Sequence, residues 1–515
     1  MKILKNSSLS AGQKAVNYAR RDYQLTSVLA SESNEVKLKP LKDVPGPKTY
    51  PIIGSLIEYW KHEKKQHLWF QELQKTHGDV VKINMGFGEE TIHLYSPENA
   101  QKMYASDGHM PNKEMHPFNY FIWYRNVREK ERYPDGNAGL AGSFLEIWRE
   151  QRTAVNQDTM RKKAALYYLE DTDKICNDCI DRIAETRDEK NDVKNAVPDF
   201  IYRFSLEEMC KIFLDKRMGA LDPGARCTIF VKKTHEMNIG MNEMSKSGPF
   251  WKYFNTKGYK KFDDACTYHY NDITNDIKEA FQRIKDTKQD YDKPRDNWSL
   301  LHKMVDRFGE DSTIPVVMAT DMILGGVDTT SFTGAAFLYN LACNPIKQEK
   351  AIEEVDRLFG GGKLNAEGFS QLRYVRACML ESQRLSPVTA GTVRILSNPI
   401  AVDGYLIPKG QKVFQSQYVI GHDPRNFTDP ERYLPERWLR GHPEQTDAHT
   451  FSNIPFGYGP RICVGKRYAE MAVQALMVKM LQRFRMEYHH EPVGLENHLI
   501  NVADRDMRIR LIERT

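Results

Sequence analysis

The chain has 515 residues, of which 40% are hydrophobic and 28% are charged. This is ordinary globular composition, with enough apolar residues for a large core. Residues 1–43 hold eight Lys or Arg and four Asp or Glu, so they carry most of the net charge of +5. The remainder is close to neutral, and its charge gives no indication of nucleic-acid binding. The sequence contains no run of about 18 apolar residues, so no transmembrane helix is predicted.

The first 21 residues predict a targeting segment. They contain five basic residues, several serines and no acid. Such a start is typical of a mitochondrial transit peptide, and a plain disordered tail is the alternative. The sequence VPGP at 44–47 breaks any helix and marks the beginning of the folded body. We therefore expect a transit-like segment over residues 1–43 and one folded unit over residues 44–515.

The pattern of apolar residues predicts a mainly α protein with small β-sheets. Residues 79–96 are typical of two strands around a turn, and a second strand-rich patch covers 392–416. The predicted helices span about 143–157, 160–187, 196–214, 257–287, 312–343, 345–359 and 371–385. The segment after Cys463 is predicted to be helical, and the final MRIRLIE to be a strand. No internal repeat or long linker divides the chain.

The eight cysteines are scattered, without the regular spacing of a disulfide framework. Cys176 and Cys179 form a C-x-x-C with no second pair nearby, which favours two core cysteines on a helix over a zinc site. Cys463 differs because it lies in the irregular stretch FGYGPRICVG at 456–465. A thiolate is a strong, soft metal ligand. The glycines around it allow tight turns and the close approach of a flat cofactor.

Two further features indicate what Cys463 could bind. A predicted helix begins just after it, and the partial positive charge of a helix N-terminus favours the thiolate. Arg461, two residues earlier, could pair with an acidic group of the same cofactor. Haem has both an iron that needs an axial ligand and two propionates that need cations. From these residues alone, a buried cysteine on a glycine-rich turn is the alternative.

The order Phe456-x-x-Gly459-x-Arg461-x-Cys463-x-Gly465 resembles the haem-binding signature of the cytochrome P450 family. The resemblance implies a triangular helical prism around a buried haem b, with the Cys463 thiolate on the iron. It also implies that Phe456, Arg461 and Gly465 contact the cofactor. The implied activity is monooxygenation, in which one atom of O2 enters a substrate and the other leaves as water.

The sequence ESQR at 381–384 carries a second motif. Glu381 and Arg384 share a helix face at i and i+3, where a surface salt bridge is the alternative. In the family this pair is buried with an arginine from a later PERF-like segment. Here that segment is PERW, so the resemblance implies Arg437 as the third member, with Trp438 in place of the usual phenylalanine. The implied role of the triad is structural: it holds the cysteine loop and the haem.

The sequence GGVDTT at 325–330 lies inside a long apolar helical pattern. Two glycines within a helix cost about 1 kcal/mol each relative to alanine. That cost is tolerated where another group must approach the backbone closely. The resemblance implies that Asp328 and Thr329 are the acid and alcohol that relay protons for cleavage of the O–O bond. A threonine-rich core helix with a kink is the alternative.

The sequence WREQR places Trp148 and Arg152 one helical turn apart. In the family such a pair binds a haem propionate, and Arg394 in TVRIL matches another propionate-binding position. Either arginine alone would be a common surface charge. Together with Arg461 they form a cation set suited to two carboxylates.

The region around Tyr124, Arg125 and Gly139 resembles that of mitochondrial members of the family. It implies a ferredoxin of the adrenodoxin type as electron donor, and a place on the matrix side of the inner membrane rather than in the endoplasmic reticulum. A basic patch would suit an acidic ferredoxin. The candidates for that patch are Arg373, Arg376, Lys466 and Arg467. Leu380 is a departure, because many mitochondrial relatives carry a basic residue there.

The resemblance implies an apolar substrate, either steroid-like or a xenobiotic. The aromatic segment PFWKYF at 249–254 could dip into a membrane surface, making a peripheral membrane contact, or pack inward. Two other functions stay open. One is a same-fold isomerase or dehydratase that needs no external electrons, although such enzymes often lack the acid–threonine pair. The other is a non-enzymatic haem sensor, which has no need of a proton relay.

Overall fold

The computed structural model describes residues 38–86, 89–108, 111, 118–131, 139–143, 145–194, 197–222, 224–246, 248–286, 294–309, 312–498 and 500–514. Residues 1–37, most of the predicted targeting segment, lie outside the described residues. Among the helices that are described, none is long and apolar enough to cross a membrane.

Helices make up most of the described chain. The α-helices span Leu56–Lys61, Gln66–His77, Pro97–Ala105, Phe118–Trp123, Gly139–Gly142, Leu145–Thr159, Lys162–Leu166, Leu169–Glu185, Tyr202–Leu214, Ala225–Lys246, Lys257–Asp286, Leu300–Phe308, Thr313–Ala342, Pro345–Phe359, Ala366–Gln371, Tyr374–Leu385, Gln417–Gly421 and Lys466–Arg483. Single 3-10 turns span Leu41–Asp43, Gly248–Lys252, Arg295–Asn297, Pro435–Trp438 and Thr450–Ser452, and π-helical turns span Tyr124–Arg128 and Val197–Ile201.

Four small sheets accompany the helices in the part of the chain that the structure describes. The largest has the strand order Val80–Asn84, Glu90–Leu94, Lys412–Ser416, Gly391–Ile395, and its middle pair is parallel. A second sheet joins Lys39–Pro40, Tyr405–Ile407 and Ile400–Val402, and a third joins Asp192–Val193, Ile509–Glu513 and Phe484–Glu487. Leu495–Asn497 and Asn501–Ala503 form a hairpin. The parallel pair brings together segments more than 300 residues apart, so the sheets close the fold at long range.

The predicted fold class is confirmed, and each predicted helical stretch contains a helix. The stretch 160–187 is divided at Tyr168, whose buried hydroxyl accepts a hydrogen bond of 2.8 Å from the backbone N–H of Leu300. Cys176 and Cys179 are both buried in Leu169–Glu185. Within the described ranges, no group of three or more His, Cys, Asp or Glu could hold a metal ion.

The helix Ala225–Lys246 was absent from the sequence prediction. A Cβ on its Gly240 would lie 2.7 Å from the carbonyl oxygen of Gly258, in the helix Lys257–Asp286. A Cβ on Gly258 would in turn lie 2.8 Å from the Cβ of Glu243. The two helices therefore approach through paired glycines, and a glycine mid-helix weakens the local signal for a helix.

The helix Thr313–Ala342, called here the central helix, is buried along most of its length. It packs against Tyr202–Leu214, Tyr374–Leu385 and Lys466–Arg483. A helix that is apolar on all sides is typical of a protein core. The central helix itself carries GGVDTT, and the helix that carries ESQR and the helix that follows Cys463 pack against it.

The helix Tyr374–Leu385, called here the ExxR helix, is fixed at its N-terminus by a buried carboxylate. Glu354 accepts hydrogen bonds of 2.9 Å from the backbone N–H groups of Arg373, Tyr374 and Val375. An anion at this position pairs the first N–H groups of the helix and interacts favourably with its dipole. The cap sets the position of the helix that carries Glu381.

Candidate haem site

The cysteine loop, residues 456–465, folds back on itself. Gly457 and Gly459 have φ of +72° and +76°, which glycine adopts far more readily than other residues. The backbone N–H of Cys463 donates to the carbonyl of Phe456 at 3.0 Å. Gly465 then serves as the N-cap of Lys466–Arg483. This backbone leaves Cys463 exposed at the start of a helix, where the dipole favours a thiolate.

Three arginines from three separate segments cluster near the loop. The guanidinium of Arg461 lies 3.9 Å from the centre of the Trp148 ring. Burial, followed by the positive charges of Arg394 and Arg152, lowers the pKa of Arg461 to about 9. The mutual repulsion of these cations makes the cluster a place for anions.

Arg152 gives the clearest sign of an anion site. It is only 7% exposed, and its Nε has no hydrogen-bond partner within the described structure. Burial lowers its pKa, and the nearby Cys463 partly offsets that effect. A buried guanidinium with an unpartnered N–H is costly unless an acceptor meets it. Arg152 therefore faces a position suited to a carboxylate.

The other two arginines already have partners. Arg394 donates to Asp107 at 2.8 Å, and its guanidinium lies 5.0 Å from the Tyr104 ring centre. Arg461 donates to the backbone carbonyls of Pro111 at 3.3 Å, Leu140 at 3.5 Å and Ser143 at 3.1 Å. Asp107 supplies one carboxylate to a cluster of three cations. The donor set, an exposed cysteine beside buried arginines, fits a haem with its two propionates.

The predicted triad lies wholly in the interior. Arg384 donates to both oxygens of Glu381, at 3.0 and 2.7 Å, and Arg437 donates to the same carboxylate at 3.2 Å. Glu381 and Arg384 are 0% exposed. The arrangement is a buried ion network, which excludes the alternative of a surface salt bridge.

Two further donors complete the environment of Glu381. The indole N–H of Trp438 donates to its Oε2 at 2.9 Å, and the backbone N–H of Leu434 donates to its Oε1 at 3.0 Å. The departure from phenylalanine at position 438 therefore adds a hydrogen bond to the network. The tryptophan is visible in the sequence, but this bond was not predicted. The available signal was that an indole N–H inside an apolar segment needs an acceptor.

The network is joined to the cysteine loop by backbone contacts. The side chain of Asn453, just before the loop, donates to the carbonyl of Leu380 at 3.2 Å. Gln417 donates to the carbonyl of Ser452 at 3.3 Å. The residue next to Glu381 thus holds the approach to the loop that presents Cys463.

The two glycines of the central helix serve different contacts. A Cβ on Gly326 would overlap the side chain of Met209, which would have to move to admit it. A Cβ on Gly325 would meet no atom within 4 Å, and this residue is exposed. Thr329 donates its hydroxyl to the carbonyl of Gly325 at 2.7 Å. The helix therefore has an open face at Gly325 beside the predicted alcohol.

Asp328 is 4% exposed, and its Oδ2 accepts a hydrogen bond from the side chain of Asn238. Its Oδ1 is buried and has no partner among the described residues. Burial raises the pKa of Asp328 to about 7. A carboxyl with a pKa near neutrality can both accept and release a proton.

A second acid on the central helix escaped the sequence analysis. Asp321 pairs with Arg125 at 2.5 Å, and a Cβ on Gly139 would overlap the Asp321 carboxylate. The pair joins the central helix to the segments around Tyr124–Arg128. The signal for it was visible, because Asp321 and Asp328 are the only acids in a strongly apolar helix.

The candidate partner residues have different surroundings. Arg373 and Arg376 are exposed at the start of the ExxR helix. Arg467 donates to Glu470 at 3.1 Å, and Lys466 lies 3.9 Å from the same carboxylate, so both are partly engaged within the protein. Arg376 is therefore the sharper probe of a partner surface.

Exposed and buried rings both occur in the aromatic segment. Trp251 is 4% exposed, whereas Phe250, Tyr253 and Phe254 are 49%, 79% and 68% exposed. Trp251 packs edge-on against Tyr120 at a ring distance of 4.8 Å. One ring thus anchors the segment while the other three face outward.

Comparisons with known proteins agree with this geometry. The chain is 30% identical over 477 residues to a Drosophila melanogaster protein named probable cytochrome P450 12c1, mitochondrial, covering 89% of both chains. It is 26% identical over 491 residues to cytochrome P450 12b1, mitochondrial, from Drosophila acanthoptera, covering 91% of this chain and 89% of the relative. Several relatives thus carry a mitochondrial name.

The fold has a solved counterpart. The crystal structure of the cytochrome P450DA heme domain superposes with a TM-score of 0.75 at 19% identity, covering 93% of this chain and 98% of that one. The family model described as cytochrome P450 matches residues 44–503. The chain therefore belongs to the cytochrome P450 family, whose members are monooxygenases that bind haem through a cysteine thiolate.

Proposed function

We propose that this monooxygenase acts in mitochondria, takes its electrons from a small acidic ferredoxin, and oxidises an apolar substrate of the steroid or xenobiotic class. The observation that carries the proposal is a pair of neighbouring residues on the central helix. Asp328 is buried, and Thr329 lies beside the open position at Gly325. An acid–alcohol pair is needed when O2 is cleaved with external electrons and protons. A same-fold isomerase or a haem sensor makes no such demand.

Haem, when bound, supplies an iron that activates O2, and thiolate ligation favours cleavage of the O–O bond. Cys463 would provide that thiolate, with Phe456 and Gly465 in the same loop. Arg152, Arg394 and Arg461 would hold the two propionates. Trp148 supports Arg461 from the face of its ring.

The protein's own part in the chemistry is to deliver protons and to exclude excess water. Asp328 is poised by its raised pKa to take up a proton at Oδ1 and to release it towards Thr329. Thr329 donates to Gly325 and keeps lone pairs on Oγ1 for an incoming proton. The glycine leaves room beside the hydroxyl. Each turnover consumes one O2, two electrons and two protons, and yields hydroxylated substrate and water.

The location and electron donor rest on three observations. Relatives across about nine-tenths of the chain carry mitochondrial names. The segment 1–43 is basic in the manner of a transit peptide. Arg373 and Arg376 are exposed beside each other on the helix that carries Glu381, where an acidic ferredoxin could dock.

An apolar substrate is supported by the exposed rings of Phe250, Tyr253 and Phe254. Aromatic side chains on a short turn could enter the headgroup region of the inner membrane. Such a contact would bring the enzyme to the membrane in which a lipid-soluble compound dissolves. We propose the matrix face of that membrane as the working location.

The proposal is tested by turnover with purified ferredoxin, its reductase and isotopically labelled O2. Substrates are chosen from sterols, secosteroids and unrelated xenobiotics by their ability to move the iron from low to high spin. We expect one labelled oxygen atom in the product, only when ferredoxin is present. Rearrangement of an organic hydroperoxide or endoperoxide without ferredoxin, with no labelled oxygen incorporated from any substrate, would instead favour the isomerase-type alternative.

The docking surface gives a second prediction. Arg376→Glu should raise the apparent KM for ferredoxin several-fold and leave substrate binding unchanged, because it reverses an exposed charge. Lys409→Glu is the matched control, since Lys409 is exposed in the turn that precedes the strand Lys412–Ser416. Steady-state kinetics at low ionic strength measure the effect. Equal KM values for the two variants would contradict the assignment.

The Glu381 network gives a third prediction. Trp438→Phe removes one donor to a buried carboxylate and should lower the free energy of unfolding by about 1–2 kcal/mol. Trp60→Phe is the control, because Trp60 is 48% exposed. Urea unfolding, followed by circular dichroism and haem absorbance together, measures the difference. An unfolding free energy that matches the control would mean that the indole N–H adds nothing.

A further inference from the structure

A small cavity lies beside Asp328, on the side of the central helix that the known signature of the family does not describe. Its polar lining comes from four separate segments: Tyr202, His235, Asn238, Asp328 and His498. The volume of the cavity that is open to the centre of a water molecule is about 10 Å³. That is space for about one water, and the polar lining could hold it.

Asp328 turns this cavity into a candidate proton site. One of its oxygens is held by Asn238, and the other, Oδ1, is buried without a hydrogen-bond partner among the described residues. The side chain is 4% exposed. A carboxylate oxygen buried in this way is expensive unless a water or a proton reaches it.

Two histidines line the cavity. The side chain of His498 is 19% exposed. His235 is exposed, and it lies three residues before Asn238 on the helix Ala225–Lys246, so the two side chains share a face. His498 comes from the C-terminal hairpin, and its Nε2 lies 3.4 Å from Glu496. Imidazole is the side chain that exchanges protons with water most readily near neutral pH.

We propose that His235 and His498 form the inlet through which protons pass from solvent to Asp328. The inference rests on the proposed monooxygenase role of Asp328 and names residues that the signature of the family does not. A protonated imidazole gives its proton to a water in the cavity, and that water gives a proton to Oδ1 of Asp328. The imidazole is then reprotonated by bulk water. No electron moves in these steps, and charge is conserved at each one.

The burial of these three groups favours this direction. Loss of water around the imidazoles lowers the pKa of His235 and of His498, and their neighbours Glu236 and Glu496 only partly oppose the effect. Burial raises the pKa of Asp328 to about 7. These opposite shifts favour transfer of a proton from a protonated imidazole to Asp328.

The remaining groups near the cavity do not compete for the proton. Burial, aided by Asp328, raises the pKa of Tyr202 well above its usual range, so the phenol stays neutral. Lys64 pairs with Glu496 at 3.3 Å and, like His235, lowers the pKa of His498. Asn238 carries no titratable proton.

The test uses the haem-loaded full chain without substrate. Infrared spectroscopy detects the carbonyl stretch of a protonated carboxyl group, and Asp328→Asn identifies the contribution of Asp328. After transfer to heavy water, the rate at which this band shifts reports proton access. We expect His235→Gln/His498→Gln to slow the shift at least ten-fold. Glutamine keeps the size and polarity of histidine, but it neither takes up nor releases a proton between pH 5 and 8.

His489→Gln is the matched control, because His489 also pairs with a glutamate two residues earlier, at 2.7 Å, but is not part of the cavity lining. It should leave the exchange rate unchanged. If the double variant does not fold, His235→Gln alone alters an exposed residue and should slow exchange in the same direction.

Wild-type exchange in the histidine variants would overturn the inlet. The inlet would also be overturned if no carboxyl band that Asp328→Asn removes appeared down to about pH 5. Neither result bears on ferredoxin-dependent incorporation of labelled oxygen, which tests the proposed function separately.

Discussion

The carboxylate of Glu381 is the point on which the architecture depends. It is fully buried and accepts hydrogen bonds from Arg384, Arg437, Trp438 and the backbone of Leu434. Taking such charges out of water is costly, and removing one member of a buried ion network destabilises a protein by roughly 3–5 kcal/mol. The network is stable only when the ExxR helix and the PERW turn are both in place. The network therefore forms only when these two distant segments are packed together.

That junction positions the chemistry. The carbonyl of Leu380 holds Asn453, and beyond Asn453 the glycines of the cysteine loop bring Cys463 to the surface of the site. Among the described residues, neither Arg152 nor Arg461 forms an ion pair with a carboxylate. An exposed cysteine at the start of a helix, with buried arginines near it, suits a cofactor that carries both a metal and acidic groups. The haem completes the charge balance of the fold.

Much of this could be predicted from local sequence. Most of the long helices follow from apolar periodicity, and the four motifs predict the cysteine ligand, the triad, the acid–alcohol pair and the propionate-binding pair of Trp148 and Arg152. What escaped prediction depends on contacts through space. The helix Ala225–Lys246 carries a glycine that only its packing against Gly258 explains. The pairing of Asn238 with Asp328 joins segments whose approach no local pattern encodes. The family resemblance brings the PERW turn to Glu381 through Arg437, but no local pattern gives the further bond from Trp438.

We propose that Cys463 presents its thiolate to the haem iron. The most direct measurement is the absorption spectrum of the reduced carbon monoxide complex, for the wild-type protein and for Cys463→Ala. The account predicts the strongly red-shifted band of a thiolate-ligated haem in the wild type and its loss in the variant. A red-shifted band that persists in Cys463→Ala would contradict the account, because another residue would then be the ligand.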